Sequence, residues 1–239
     1  YGRPYTLFAN ARMDGGIEAP FFVPANADAF VTASDDRTRA WYIEMLPNPK
    51  LVVAPMADIA TLGRQLGIPL IVDNTAAPLL ARPFDHGAAV VVYSTTKYIG
   101  GHGTSIGGMI VDGGNFPWED FPERQPLLNT PDPSYHGAIW AQAAKPLGPI
   151  AYILRARTVL LRDLGSAISP FNAFQIIQGV ETLPLRIRRH CENAQAVADH
   201  LKRRTDVKRV IHPSQQQGVA RERAEAVLKG GFGGLVGFE

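Results

Sequence analysis

The stretch Val90-Val91-Val92-Tyr93-Ser94-Thr95-Thr96-Lys97 constrains the fold most: an apolar, β-branched run stops at hydroxyls, one lysine and the glycines of Ile99-Gly100-Gly101-His102-Gly103. An apolar run without alternation reads as a strand covered on both faces, the situation of a parallel sheet between layers of helix. A second such run, Ile68-Pro69-Leu70-Ile71-Val72-Asp73, ends in a carboxylate followed by Asn74-Thr75. Asp73 and Lys97 are 24 positions apart (97 − 73). Both leave strand ends, where open α/β sheets place their ligands.

A lysine delivered by so apolar a strand is expected to be desolvated, which favours the neutral amine that Schiff-base chemistry requires. Ser94 and Thr96 are expected to share one face of an extended backbone, where both can donate to one anion, a phosphate being the natural candidate. A carboxylate facing the amine suits a protonated pyridine nitrogen, so Asp73 and Lys97 together suit pyridoxal phosphate. The plainer alternatives are a Lys97 that snorkels from its strand end and an Asp73 that only caps the turn at Asn74-Thr75.

At these residues the sequence resembles the pyridoxal-phosphate enzymes of cysteine and methionine metabolism. Val72-Asp73-Asn74-Thr75 is similar to that family's aspartate strand, and Ser94-Thr95-Thr96-Lys97 to its Ser-x-Thr-Lys segment. Asn48 in Leu46-Pro47-Asn48-Pro49 matches its Asn-Pro motif, and Tyr1-Gly2 its tyrosine-glycine pair. Gly100 to Gly108, Pro131-Asp132-Pro133-Ser134-Tyr135-His136-Gly137 and Ser169 to Phe174 look most like the O-acetylhomoserine sulfhydrylases.

The resemblance implies an aspartate-aminotransferase-like fold (fold type I), an α/β three-layer sandwich with a mostly parallel sheet, here a partial chain. It implies a coenzyme-binding domain over 1–168 and a linker helix with the start of a smaller domain over 169–239. Its site residues map onto Tyr1, Asn48, Asp73, Thr75, Ser94, Thr96 and Lys97. Lys97 would be the covalent anchor and proton carrier, and Tyr1 the stacking ring and proton donor. Asn48 would approach the ring oxygen and substrate carboxylate, and Ser94 and Thr96 would hold the phosphate. The implied reaction is γ-replacement: O-acetylhomoserine plus sulfide or a small thiol gives homocysteine or methionine plus acetate. A methionine γ-lyase or cystathionine γ-synthase on the same scaffold, or a non-catalytic remnant, are the alternatives. The family's habit implies a homo-oligomer, dimers paired into tetramers.

Composition limits the remaining classes. The chain has 239 residues, 46% of them hydrophobic, enough for a sizeable core. With 19% charged residues, a formal net charge of +2 and intermixed signs, it carries no electrostatic footprint for nucleic acid. The densest basic clusters, Arg186 with Arg188 and Arg189, and Lys202 with Arg203 and Arg204, read as solvated helix surface. No run approaches the ~20 apolar residues that span a membrane, so the cytoplasm is the default expectation. The six histidines do not pair at metal-ligand spacing, and Cys191, the single cysteine, reads as buried filler. The glycine loop lacks the Walker ending and the dinucleotide fingerprint.

Along the chain, a helix is expected from Tyr5 to Asn10 and strands over Ile17 to Val23 and Ala40 to Glu44. A helix should begin at Pro55 and end at Gly67, so that strand, helix and strand form a βαβ unit. Met109-Ile110-Val111 adds a strand. Residues 113–149, rich in Pro and Gly, read as a functional excursion near the site mouth, with Phe116, Trp118, Phe121, Tyr135 and Trp140 either lining a pocket or packing. Ile150 to Leu164 reads as helix, and Leu183, Ile187, Cys191, Ala194, Val197 and Leu201 mark a long amphipathic one. The chain starts inside a motif, and Gly230 to Glu239 looks like a strand without its partners, so a piece of a longer chain is expected.

Overall fold

The computed structural model describes residues 16–21 and 26–239. The expected helix at Tyr5 to Asn10 and Tyr1 itself lie outside the described residues. Residues 17–21 are not a strand, contrary to expectation; Ile17 and Phe21 are about half exposed, so burial does not select an extended form there.

The sheet consists of β1 (Trp41–Glu44), β2 (Leu70–Asp73), β3 (Val90–Ser94) and β4 (Gly108–Asp112), in that spatial order. β1, β2 and β3 run parallel, and β4 returns antiparallel with Ser94 opposite Gly108. Side chains alternate between two cores. Trp41, Ile43, Leu70, Val72 and Val91 face one, while Val90 sits in the other with Ile71 and Val92 packed against it. This is the three-layer arrangement anticipated from the unbroken apolar runs.

The first core is covered by α1 (Met56–Leu66), whose Met56, Ile59, Ala60 and Gly63 are buried. Pro55 stands just before the helix rather than inside it, and Gly67 ends it in the left-handed conformation at φ 71°. The same core takes Ile176 from α2 (Pro170–Glu181), Leu183, Ile187 and Cys191 from α3 (Leu183–Lys202), and Ala224 and Val227 from α4 (Gly218–Val227). Ser169 caps α2 by accepting from the Asn172 amide at 3.2 Å. Along α3 the buried stripe passes through Ala198, while Val197 is half exposed, because a 3.6-residue period carries the face from Ala194 to Ala198.

The second core decides between the two roles left open for the aromatics of 113–149, in favour of packing. Phe116, Trp118, Leu128 and Trp140 are buried against Ala89 and Val90, with Phe121 and Tyr135 packed alongside. The aromatics are therefore the second layer of the sandwich, not the lining of a pocket. Side chains pin this irregular segment to distant backbone. Gln125 Nε2 donates to Arg39 O and Gly67 O at 3.0 Å each, and Arg124 Nη1 to Asp35 O and Thr38 O. The expected helix over 150–164 is present as Ala151–Arg155 and Arg162–Leu164 joined by a π-helical stretch, Ala156–Leu161.

The glycine-rich stretch near Glu239 has a strand partner after all. β6 (Gly237–Phe238) pairs antiparallel with β5 (Val210–Ile211). Among the described residues no helix is long and apolar enough to cross a membrane.

Candidate active site

The carboxyl ends of β2 and β3 are tied together through side chains. Asp73 Oδ2 accepts from the Tyr42 hydroxyl at 2.9 Å, and its Oδ1 from the Thr75 amide at 2.9 Å. Thr75 Oγ1 accepts in turn from the Ser94 amide at 2.8 Å. By strand parity Tyr42, Asp73 and Ser94 project to the same face of the sheet. Burial, and then the Asp73 charge, push the Tyr42 phenol well above its ordinary range, so it remains a donor to the carboxylate. Beneath this layer Asn74 is fully buried, donating to Ala81 O at 3.2 Å and to the Tyr93 hydroxyl at 3.1 Å.

After Ser94 the chain turns rather than running on. Residues 95–100 form a turn in which the Lys97 amide donates to Ser94 O, the Gly100 amide to Thr95 O and the Gly101 amide to Lys97 O. The expectation that Ser94 and Thr96 share a face of an extended strand is thereby overturned. Thr96 Oγ1 instead bonds Gly107, accepting from its amide at 3.0 Å and donating to its carbonyl at 3.3 Å, because the antiparallel return of β4 brings Gly107 alongside. Thr95 is buried, and among the described residues its hydroxyl has no partner.

Lys97 is exposed, which corrects the expectation of a desolvated amine: the strand is buried, but the turn carries the side chain past its end. The Lys97 amine and the Ser94 hydroxyl have no hydrogen-bond or ion-pair partner among the described residues. Lys97 opens onto a cleft of about 320 Å³ lined also by Thr96, Tyr98, Gly101, Gly103, Arg186 and His190. His102 Nδ1 meets Gly100 O at 2.8 Å, a loop-stabilising contact. Asn48 is exposed on the loop after β1 and does not line that cleft. Burial raises the Cys191 thiol, which agrees with its reading as filler. Among the described residues no group of three His, Cys, Asp or Glu side chains could hold a metal ion.

Arg186 departs from the expected solvated surface and is part-buried. Its guanidinium donates to Tyr98 O at 2.6 Å, Ile99 O at 3.1 Å and Gly179 O at 2.6 Å, and its Nε to Thr182 Oγ1 at 3.0 Å. The available signal was its place next to Ile187, at the margin of the buried stripe of α3. Arg188 and Arg189 are exposed, as expected.

A primary amine, a free hydroxyl and a carboxylate already held by two donors, all at neighbouring strand ends, fit a coenzyme bearing an aldehyde, a phosphate and a basic ring nitrogen. Thr96, with its hydroxyl spent on Gly107, does not contribute in this arrangement. The family model of Cys/Met metabolism PLP-dependent enzymes matches residues 1–239. The chain belongs to this family. Among curated members, an O-acetyl-L-homoserine sulfhydrylase of Leptospira meyeri is 45% identical over 100% of this chain and 55% of its own length. A homocysteine/cysteine synthase of Saccharomyces cerevisiae is 43% identical over 100% of this chain and 53% of its own. The chain thus spans about half the length of the curated relatives it matches. A solved structure of a putative O-acetylhomoserine (thiol)-lyase from Campylobacter jejuni, carrying N'-pyridoxyl-lysine-5'-monophosphate, superposes with a TM-score of 0.90 at 34% identity, covering 100% of this chain and 59% of that one. The fold is accordingly that of the fold type I PLP-dependent enzymes.

Proposed function

We propose that this protein is a pyridoxal-phosphate-dependent γ-replacement enzyme, exchanging the acetate of O-acetylhomoserine for sulfide or a small thiol to give homocysteine or methionine. One observation carries the reading: among the described residues the Lys97 amine has no partner, on a turn whose strand end is laced through Thr75 to the Asp73 carboxylate. The names of the curated relatives support the choice of substrate over a γ-lyase or a cystathionine synthase.

When bound, the coenzyme supplies an electron sink that lets acetate leave the γ-carbon. Lys97 would anchor it and, as a free amine, would carry the α-proton of the substrate further along the carbon chain. Asp73, oriented by the Tyr42 hydroxyl and the Thr75 amide, would hold the ring N–H. The Ser94 hydroxyl would donate to the phosphate, and Thr96 would join only if its hydroxyl turned from Gly107. By the family resemblance Tyr1 would serve as stacking ring and proton donor, and Asn48, exposed after β1, would have to move toward the cleft to meet the ring oxygen and the substrate carboxylate. Residues 1–168 act as the coenzyme-binding domain and 169–239 as the start of a smaller one. We further assign a cytoplasmic homo-oligomer, built as a dimer of dimers.

The test is borohydride reduction of the coenzyme-loaded protein followed by peptide mapping, with product analysis on O-acetylhomoserine plus sulfide and on methionine alone. A reduced pyridoxyl label on Lys97 and homocysteine formed only with sulfide are expected. A label on another residue, or breakdown of methionine alone, would overturn the proposal.

A further inference from the structure

Lys97 itself is exposed and unpartnered among the described residues, so its direction depends on how the turn beneath it is held. Inside the turn the Lys97, Gly100 and Gly101 amides are bonded. The carbonyls of Tyr98 and Ile99 are taken by Arg186 Nη1 and Nη2. The same guanidinium reaches Gly179 O near the end of α2, and its Nε reaches Thr182 in the link to α3. Among the described residues Arg186 pairs with no carboxylate. Its planar fork is spent on two carbonyls of the lysine turn and on the α2 to α3 junction.

The packing is equally specific. A Cβ added to Gly101 would sit 2.6 Å from Arg186 Cζ, and one added to Gly179 would sit 2.1 Å from Gly100 O. Gly101 stands at φ 78°, so the turn also needs glycine there for its backbone. Two glycines thus open the space in which the guanidinium and α2 meet the lysine turn.

We infer that Arg186 is a positioning residue for Lys97: by bridging the carbonyls of Tyr98 and Ile99 to α2 it sets where the amine emerges. Four of the five Arg186 N–H donors are spent on these contacts, and one on Nη1 is left at the cleft. The inference rests on Lys97 being the coenzyme anchor, and its test separates the two claims.

Arg186→Lys and Arg186→Met are compared with the unaltered protein. Lysine keeps the charge and can reach one carbonyl but cannot fork; methionine keeps only the stem. The first readout uses coenzyme-free protein: hydrogen exchange of peptides spanning residues 95–101 should quicken at least tenfold in both variants, and most in Arg186→Met. The second readout is the rate of borohydride-trappable pyridoxal phosphate labelling at Lys97, with the pH midpoint of the visible band of the bound coenzyme. Labelling should slow about tenfold in Arg186→Lys and more in Arg186→Met, and the midpoint should move in both. Unaltered exchange in the turn would overturn the clamp. Faster exchange with labelling and midpoint unchanged would reduce Arg186 to scaffolding and also overturn the inference. If Arg186→Met does not fold, Arg186→Lys decides by the same readouts. Failure of the unaltered protein to label at Lys97 would refute the proposed function and with it the inference, whereas the exchange result would still report whether Arg186 holds the turn.

Discussion

Replacing Gly179 by alanine tests the seating of the lysine turn on α2 through the sign of a stability change. Alanine favours a helix over glycine by about 0.8–1.0 kcal/mol, so at an uncrowded helical position the change stabilises. At Gly179 the new Cβ would stand 2.1 Å from Gly100 O, 2.7 Å from its carbonyl carbon and 2.8 Å from its Cα. All three are main-chain atoms that cannot rotate aside. Relieving the contact requires α2 and the turn to separate by about 1 Å, and overpacking of this kind costs typically about 1–3 kcal/mol. The separation also lengthens the bond from Arg186 to Gly179 O, one of the charge-assisted kind worth about 1.5–3 kcal/mol when buried and less here, where Arg186 is part-exposed. Net destabilisation of about 1–3 kcal/mol is expected, read as a lower urea midpoint at unchanged slope. A midpoint equal to or above that of the unaltered protein would refute the close approach, and with it the account of how Lys97 is held.

Tyr42→Phe removes a hydrogen bond to the Asp73 carboxylate while keeping the ring, and should weaken pyridoxal phosphate binding about tenfold; equal dissociation constants would show that the bond does not orient Asp73. Trp118→Ala should cost about 3–5 kcal/mol, as a buried aromatic stacked on Tyr152 does, with coenzyme affinity at 25 °C unchanged in the folded protein. A variant of normal stability with lost coenzyme binding would restore the pocket-lining alternative. His212 is 1% exposed, and burial lowers its pKa from 6.5, so the unfolded chain binds the proton first as pH falls. Its contribution is complete above about pH 6.5 and declines below it toward the lower folded value. The loss of urea midpoint between pH 7.5 and 5.5 should therefore shrink in His212→Gln; an undiminished loss would assign the slope to other groups.

What the sequence determined alone is what depends on neighbours in the chain. The apolar runs into Asp73 and Lys97 specify two strands buried on both faces, and Gly67 specifies where α1 stops, because solvent exclusion and backbone conformation are local demands. Cys191 was legible for the same reason, from its place in a helical stripe. The tertiary structure alone decided the fates of Thr96, Trp118 and Arg186. The return of β4 occupies the Thr96 hydroxyl with Gly107, and the uncovered face of the sheet draws Phe116, Trp118 and Trp140 out of any pocket. Arg186 acts on carbonyls 87 and 88 positions away, and a carbonyl looks the same at every residue, so no side-chain pattern marks its partners. Lys97 belongs to both accounts: its strand can be read from its neighbours, while its direction depends on a contact the chain makes only when folded.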